Sequence, residues 1–212
     1  MANLKNMIEK QPKKFTEECA LISVFFNMTN LKDNWFLNYI SPPGGAWQKV
    51  YVKEGNNIHR LYVGKTVKRP DLALQKYKEK AKILFFIAES KESFESIIRN
   101  RDKIKKSMKD FYQFLKGARI NNKKIFEDKV INPIFNFIIA LDVRDLGKFE
   151  KRVIENKLQL IEESIDDLDD FEGGVACIAV FWKSKKTIFN IVYSSNFTKE
   201  KIFLLNNIFY SK

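Results

Sequence analysis

Histidine and cysteine are scarce in this sequence: His59 stands alone among 212 residues, and the two cysteines are Cys19 and Cys177. That scarcity excludes a zinc site with two histidine ligands and any catalytic constellation that shares a second histidine. A lone histidine within a strand reads as structural, and the cysteines, set in apolar surroundings without metal-ligand spacing, read as buried free thiols. Long apolar runs are missing too. The longest, Val175 to Trp182, is far below the roughly 18 residues a membrane span needs, and the start Met1-Ala2-Asn3-Leu4-Lys5 lacks a signal-peptide apolar segment. A cytoplasmic protein with no membrane partner is the expectation. Gly44-Gly45 lacks the spacing and the following lysine of a phosphate-binding loop, which argues against a nucleotide-triphosphate enzyme. The acidic run Asp166-Asp167-Leu168-Asp169-Asp170 lacks the glycine and terminal glutamate of a calcium loop and reads as a solvated helix end. No internal repeat, low-complexity linker or helix-turn-helix module is evident.

Positive charge is abundant. The net charge is +12, and it is unevenly spread. From Arg60 through Lys129 there are twenty Lys or Arg against nine Asp or Glu, whereas Asp142 through Glu172 has five against eleven. A concentrated positive field attracts a polyanion, because neutralising phosphates releases condensed counterions. Nucleic acid, double-stranded DNA first, is the partner this implies; the plainer reading is a solvated lysine-rich surface. Apolar residues make up 45% and charged residues 30%, the balance of a chain that folds around one core.

Apolar spacing from Phe15 to Met28 predicts a helix with Glu17 and Glu18 in its first turn. A second short helix is expected around Trp35 and Leu37, and Ser41-Pro42-Pro43-Gly44-Gly45 opens a loop, running to Trp47, whose turn residues and aromatic would suit a nucleic-acid groove or a plain turn. Gln48 to Lys53 and Ile58 to Val63 read as a hairpin across Glu54-Gly55-Asn56-Asn57. Asp71 to Gln75 is a short strand, and Lys82 to Glu89 is apolar enough for the centre of a sheet. Glu92 to Lys116 carries one apolar helical stripe, with Gly117 as its cap. Ile134 to Leu141 is a buried strand, followed by a helix burying Phe149, Val153, Leu158, Ile161 and Ile165. A hairpin, Val175 to Trp182 and Thr187 to Tyr193, and a helix from Lys199 to Tyr210 complete an α/β chain. Its expected centre is a mixed sheet with strands near Ile58, Asp71, Ile83 and Ile134, flanked by helices on both faces.

Two acids interrupt the apolar strands. Asp71 opens one and Glu89 closes the other, and because side chains alternate along a strand, Lys91 projects with Glu89 while Ser90 points away. If the strands are neighbours, Asp71, Glu89 and Lys91 meet. Two close carboxylates repel each other, and a hard cation with oxygen ligands relieves that repulsion, magnesium fitting best. Such an ion activates water and stabilises charge on a phosphodiester. Lys91 would hold the water and phosphate in line, or share in removing the water proton if the ion depressed its own pKa. Lys65, Lys68 and Arg69, just before Asp71, are candidates to clamp flanking phosphates. Glu54, in a turn, is a weak candidate.

Arg69-Pro70-Asp71 followed by Glu89-Ser90-Lys91 resembles the PD-(D/E)XK nucleases, type II restriction endonucleases in particular, over about Ile58 to Lys91. The resemblance implies a restriction endonuclease-like mixed sheet. It makes Asp71 and Glu89 magnesium ligands, with the Ala88 backbone carbonyl as a further one, and Lys91 their catalytic partner. Members also place an acid on a preceding helix, for which Glu18, or its neighbour Glu17, is the candidate. The expectation is a single nuclease domain over residues 1–212 with its catalytic core at about 48–141. It would be a magnesium-dependent endodeoxyribonuclease of a restriction system, with a homodimer suited to double-strand cutting. A structure-specific repair or recombination nuclease and a non-catalytic nucleic-acid-binding module are the alternatives.

Overall fold

In the computed structural model of the chain the described residues are 16–30, 35–41, 49–63, 67–79, 81–142, 150–183 and 186–210. The loop from Pro42 to Trp47, Lys65, Phe15 and Phe149 lie outside them. A six-stranded mixed sheet is built from β1 (Phe36–Ile40), β4 (Leu72–Glu79), β5 (Lys82–Lys91), β8 (Val130–Asp142), β9 (Val175–Lys183) and β10 (Lys186–Tyr193), side by side in that order. β5, β8 and β9 run parallel, and the remaining pairs are antiparallel. Helices α2 (Phe94–Arg99) and α3 (Arg101–Lys116) connect β5 to β8, and α4 (Glu150–Ser164) connects β8 to β9. Parallel neighbours need such crossovers.

Strand alternation decides which helix meets which face. On β5 the odd residues Ile83, Phe85 and Ile87 pack in one core with Ile104, Met108 and Phe111 of α3 and Ile161 of α4. The even residues Leu84, Phe86 and Ala88 share a second core with Ala20, Val24 and Met28 of α1 (Glu17–Asn30) and Leu205 and Ile208 of α5 (Lys199–Phe209). With both faces covered, β5 needs no polar face, which is why its sequence runs apolar until Glu89.

The structure corrects several expectations. Trp35 and Leu37 belong not to a helix: Phe36–Ile40 forms β1, because β4 offers an open backbone edge that this short aromatic segment satisfies. The strand at Ile58 is outside the central sheet; like the two-residue strands β6 (Arg119–Ile120) and β7 (Lys123–Lys124), β2 (Lys49–Glu54) and β3 (Asn57–Tyr62) pair with each other. Their attachment runs through side chains. Gln75 donates Nε2 to the Lys53 carbonyl at 2.6 Å and accepts the Lys53 N–H at 3.1 Å, while Asn38 Nδ2 donates to the Tyr51 carbonyl at 2.7 Å. Buried Gln75 and Asn38 thus replace a ladder, as Val50, Val52 and Leu61 enter the core. Gln75→Leu should lower stability by about 1–3 kcal/mol, since the Lys53 N–H loses its acceptor; urea unfolding measures it, and an unchanged midpoint would mean water replaces the amide.

The single helix expected over Glu92 to Lys116 is two. Asn100 ends α2 by turning its amide back onto the Ser96 carbonyl at 2.9 Å, a local bond that competes with helix continuation. Gly117 caps α3 as expected, but with a φ of −88° it needs no left-handed backbone. β8 is longer than expected and includes Pro133, tolerated because β9 pairs only from Phe135 onward and leaves β8 an edge at that point. The acidic run after α4 begins as a short 3-10 turn, Asp166–Leu168, and Asp166, Asp167 and Asp170 are exposed as a solvated helix end would have them, with Asp166 accepting the Ser195 N–H at 2.7 Å and Asp170 meeting Lys109 at 2.7 Å. Both cysteines are free thiols, Cys177 fully buried and Cys19 partly.

Candidate functional site

Asp71 precedes β4, and its neighbour Leu72 pairs with Ala88, so Asp71 lies level with Glu89 across the β4–β5 ladder. The Asp71 N–H donates to the Ala88 carbonyl at 3.1 Å, and its carboxylate Oδ2 accepts the Ser90 N–H at 2.8 Å. Alternation then places the carboxyls of Asp71 and Glu89 and the amine of Lys91 on the α2/α3 face. Ser90, on the other face, donates its hydroxyl to the Glu17 carbonyl at 2.9 Å and so ties the start of α1 to the site.

Lys91 Nζ lies 2.8 Å from Glu89 Oε1 and 3.9 Å from Asp71 Oδ2, and it donates to the Ser90 carbonyl at 2.8 Å. The three residues expected to meet do meet. Glu89 Oε2 is buried and has no hydrogen-bond partner, an unusual state for a carboxylate oxygen.

Electrostatics follow from burial and crowding. Burial first, and then the charge of Asp71, push the Glu89 carboxyl up to about 7, even though Lys91 pulls it down. Burial also raises Asp71; the Ser90 N–H and Lys91 work against that, and Glu18 adds to it. Burial acts to lower Lys91, but the charge and hydrogen bond of Glu89 and the charges of Asp71 and Glu17 outweigh it, so its pKa lies above the ordinary lysine value. Lys91 is therefore a cation at neutral pH. Of the three, Glu89 is the one whose carboxyl is brought to about neutrality.

Glu89 and Lys91 open onto a cleft of about 590 Å³ that Glu17, Tyr39, Lys68, Arg69, Lys103 and Asn100 help to line. Lys68 and Arg69 thus lie where the sequence put them, and the Arg69 guanidinium sits 5.9 Å from the Tyr39 ring. Of the two helix acids, Glu17 lines the cleft, and burial raises its pKa; Glu18, one residue on, reaches Asp71 through its charge. Glu54 is remote from this constellation and pairs with His59 at 3.0 Å.

The far wall went unread in the sequence. Ser96, Asn100, Lys103 and Ser107 all line the cleft, and their spacing of four, three and four is a polar stripe at helical period running beside the apolar one. That stripe was the available signal.

Among the described residues no group of three or more His, Cys, Asp or Glu side chains is gathered to hold a metal unaided. The oxygen set is two carboxylates and the Ala88 carbonyl, whose second lone pair remains beside its bond to Asp71. This fits magnesium, which takes one or two carboxylates and completes its shell with water and phosphate, better than zinc. The unpartnered Glu89 Oε2 and the mutual repulsion of the two acids are what a cation would relieve. No protein-family model, no curated protein and no solved structure matches the chain.

Proposed function

We propose that this chain is a magnesium-dependent endodeoxyribonuclease of the restriction type. The observation that carries the reading is the meeting of Asp71, Glu89 and Lys91 at one end of a central strand, with a buried carboxylate oxygen, Glu89 Oε2, that has no hydrogen-bond partner among the described residues. Asp71, Glu89 and the Ala88 carbonyl are the residues that would hold the metal. Bound there, magnesium would supply positive charge to the phosphodiester oxygens and lower the pKa of water.

The chain's own groups account for the rest. Lys91, protonated and anchored on Glu89 and the Ser90 carbonyl, presents a fixed cation to orient the scissile phosphate. Lys68, Arg69 and Lys103 line the same cleft, cations suited to contacts with the backbone phosphates near the cut. The Asp71 carboxylate is kept in place by the Ser90 N–H, so its geometry does not depend on substrate.

The test is incubation of mixed-sequence duplex DNA with purified protein, with and without magnesium. Discrete fragments formed only with the metal are expected. Preference for junctions over linear duplex would shift the reading to a repair nuclease. Salt-dependent binding without cutting would leave a non-catalytic module and overturn the enzyme.

A further inference from the structure

A second cavity, of about 390 Å³, lies on the opposite face of the sheet, between α5, the late part of β4 and the early parts of β5 and β8. Leu84 in its wall precedes Glu89 by five residues, on the order of 16 Å along the strand, so this cavity is separate from the cleft. It exists because β9 has not yet begun beside Asn132 and Pro133, leaving the space between β8 and α5 unfilled. Its size is that of a small-molecule site.

One charged group is built into its wall. Lys201, on the first turn of α5, is only 9% exposed. Its Nζ donates to the carbonyls of Gly173 at 2.8 Å and Glu172 at 3.3 Å and lies 5.5 Å from the Phe197 ring centre. A Cβ at Gly173 would stand 2.5 Å from that nitrogen, and Gly173 has a φ of +74°, so the turn is shaped to admit the amine. Two carbonyls use two of the three ammonium donors. No carboxylate reaches ion-pair distance of Lys201 among the described residues: Glu200 is tied to Lys78 and Lys82, and the charges of Glu172, Asp169 and Glu200 act on it only from further away. Burial lowers the Lys201 pKa to about 8, although the charges of Glu172, Asp169 and Glu200 pull it up. A buried ammonium with a spare donor and no carboxylate at ion-pair distance can take an anion at close range. The rest of the lining is mixed, with Lys76, Lys78, Glu172 and Glu200 among its charged members, and its apolar part, Leu84, Pro133, Ile134, Leu204 and the largely exposed Phe203, suits an apolar body.

We infer that this cavity binds a small amphipathic carboxylate, its carboxylate accepting from Lys201 and its apolar body lying along Leu84, Pro133 and Leu204 beneath Phe203. This inference does not depend on the nuclease reading. Calorimetric titration with decanoate and with decanol tests it. Decanoate should bind one to one and at least about tenfold more tightly than decanol, the worth of a charge-assisted hydrogen bond, and Lys201→Met should abolish that preference. If the variant does not fold, the wild type still decides: decanoate, but not decanol, should protect Lys201 from acetylation by acetic anhydride, mapped by mass spectrometry. Equal affinity for acid and alcohol, absence of decanoate binding, or acetylation of Lys201 unaffected by decanoate would overturn the proposal.

Discussion

Asp71→Asn is expected to slow magnesium-dependent DNA hydrolysis by about a hundred- to a thousandfold, the scale of losing one group that stabilises transition-state charge, while leaving the protein folded and bound to duplex. The amide keeps an oxygen where Asp71 Oδ2 accepts the Ser90 N–H, so the local backbone has no reason to move. What disappears is one of two formal negative charges. With Glu89 then the sole carboxylate of the pair, the attraction for a divalent ion falls steeply, and higher magnesium should recover only part of the rate. Duplex affinity should hold or rise, because a negative charge has left a cleft that also carries Lys68, Arg69 and Lys103. Single-turnover cleavage over a magnesium series, beside a binding isotherm without metal, separates the two effects. A variant that cuts as fast as the wild type would remove Asp71 from the site.

Much of this site was legible from strand alternation alone. An apolar run from Ile83 to Ala88 can end in Glu89-Ser90-Lys91 only by placing the acid and the lysine on one face, and Asp71 reaches that face because β4 and β5 pair as antiparallel neighbours. The helical stretch after it, though not its break at Asn100, and the final hairpin were equally readable, since each carries its own periodicity. What was hidden depends on contacts between distant segments. Trp35 to Ile40 is apolar without a period, so its state was decided by the free edge of β4 rather than by its own residues. The hairpin at Ile58 left the central sheet because Gln75 and Asn38, far along the chain from it, supplied side-chain bonds in place of a ladder. The polar wall from Ser96 to Ser107 was overlooked because the apolar stripe beside it sufficed to identify the helix. Lys201 gave no signal, because its burial arises only when α5 meets a glycine turn 28 residues away.

Lys91→Met should cost about 3 kcal/mol of stability at pH 8, the scale of breaking a buried ion pair, and far less at pH 5. In the intact protein Glu89 has its pKa raised from 4.5 to about 7, so between those values the folded state holds a proton that the unfolded chain has released. Stability therefore falls as pH rises through that window and levels off above it. Lys91 works the other way: its own pKa is raised, so its contribution is complete at all pH values well below the lysine range and is lost only as pH climbs through that range. Without it, the two influences that hold Glu89 down, its charge and its hydrogen bond, vanish together, and Asp71 loses a neutralising neighbour as well. Both acids then titrate higher, and the fall of stability with pH becomes deeper and reaches further into the alkaline side. Magnesium should return part of the loss at pH 8, where both carboxylates can be ionised, and little at pH 5, where a proton on Glu89 competes with the ion. Urea unfolding of wild type and variant at the two pH values, with chelator and with magnesium, provides the comparison. A loss equal at both pH values and indifferent to magnesium would mean that Lys91 contributes only the packing of its methylene stem, and the charge balance assigned to this site would fall with it.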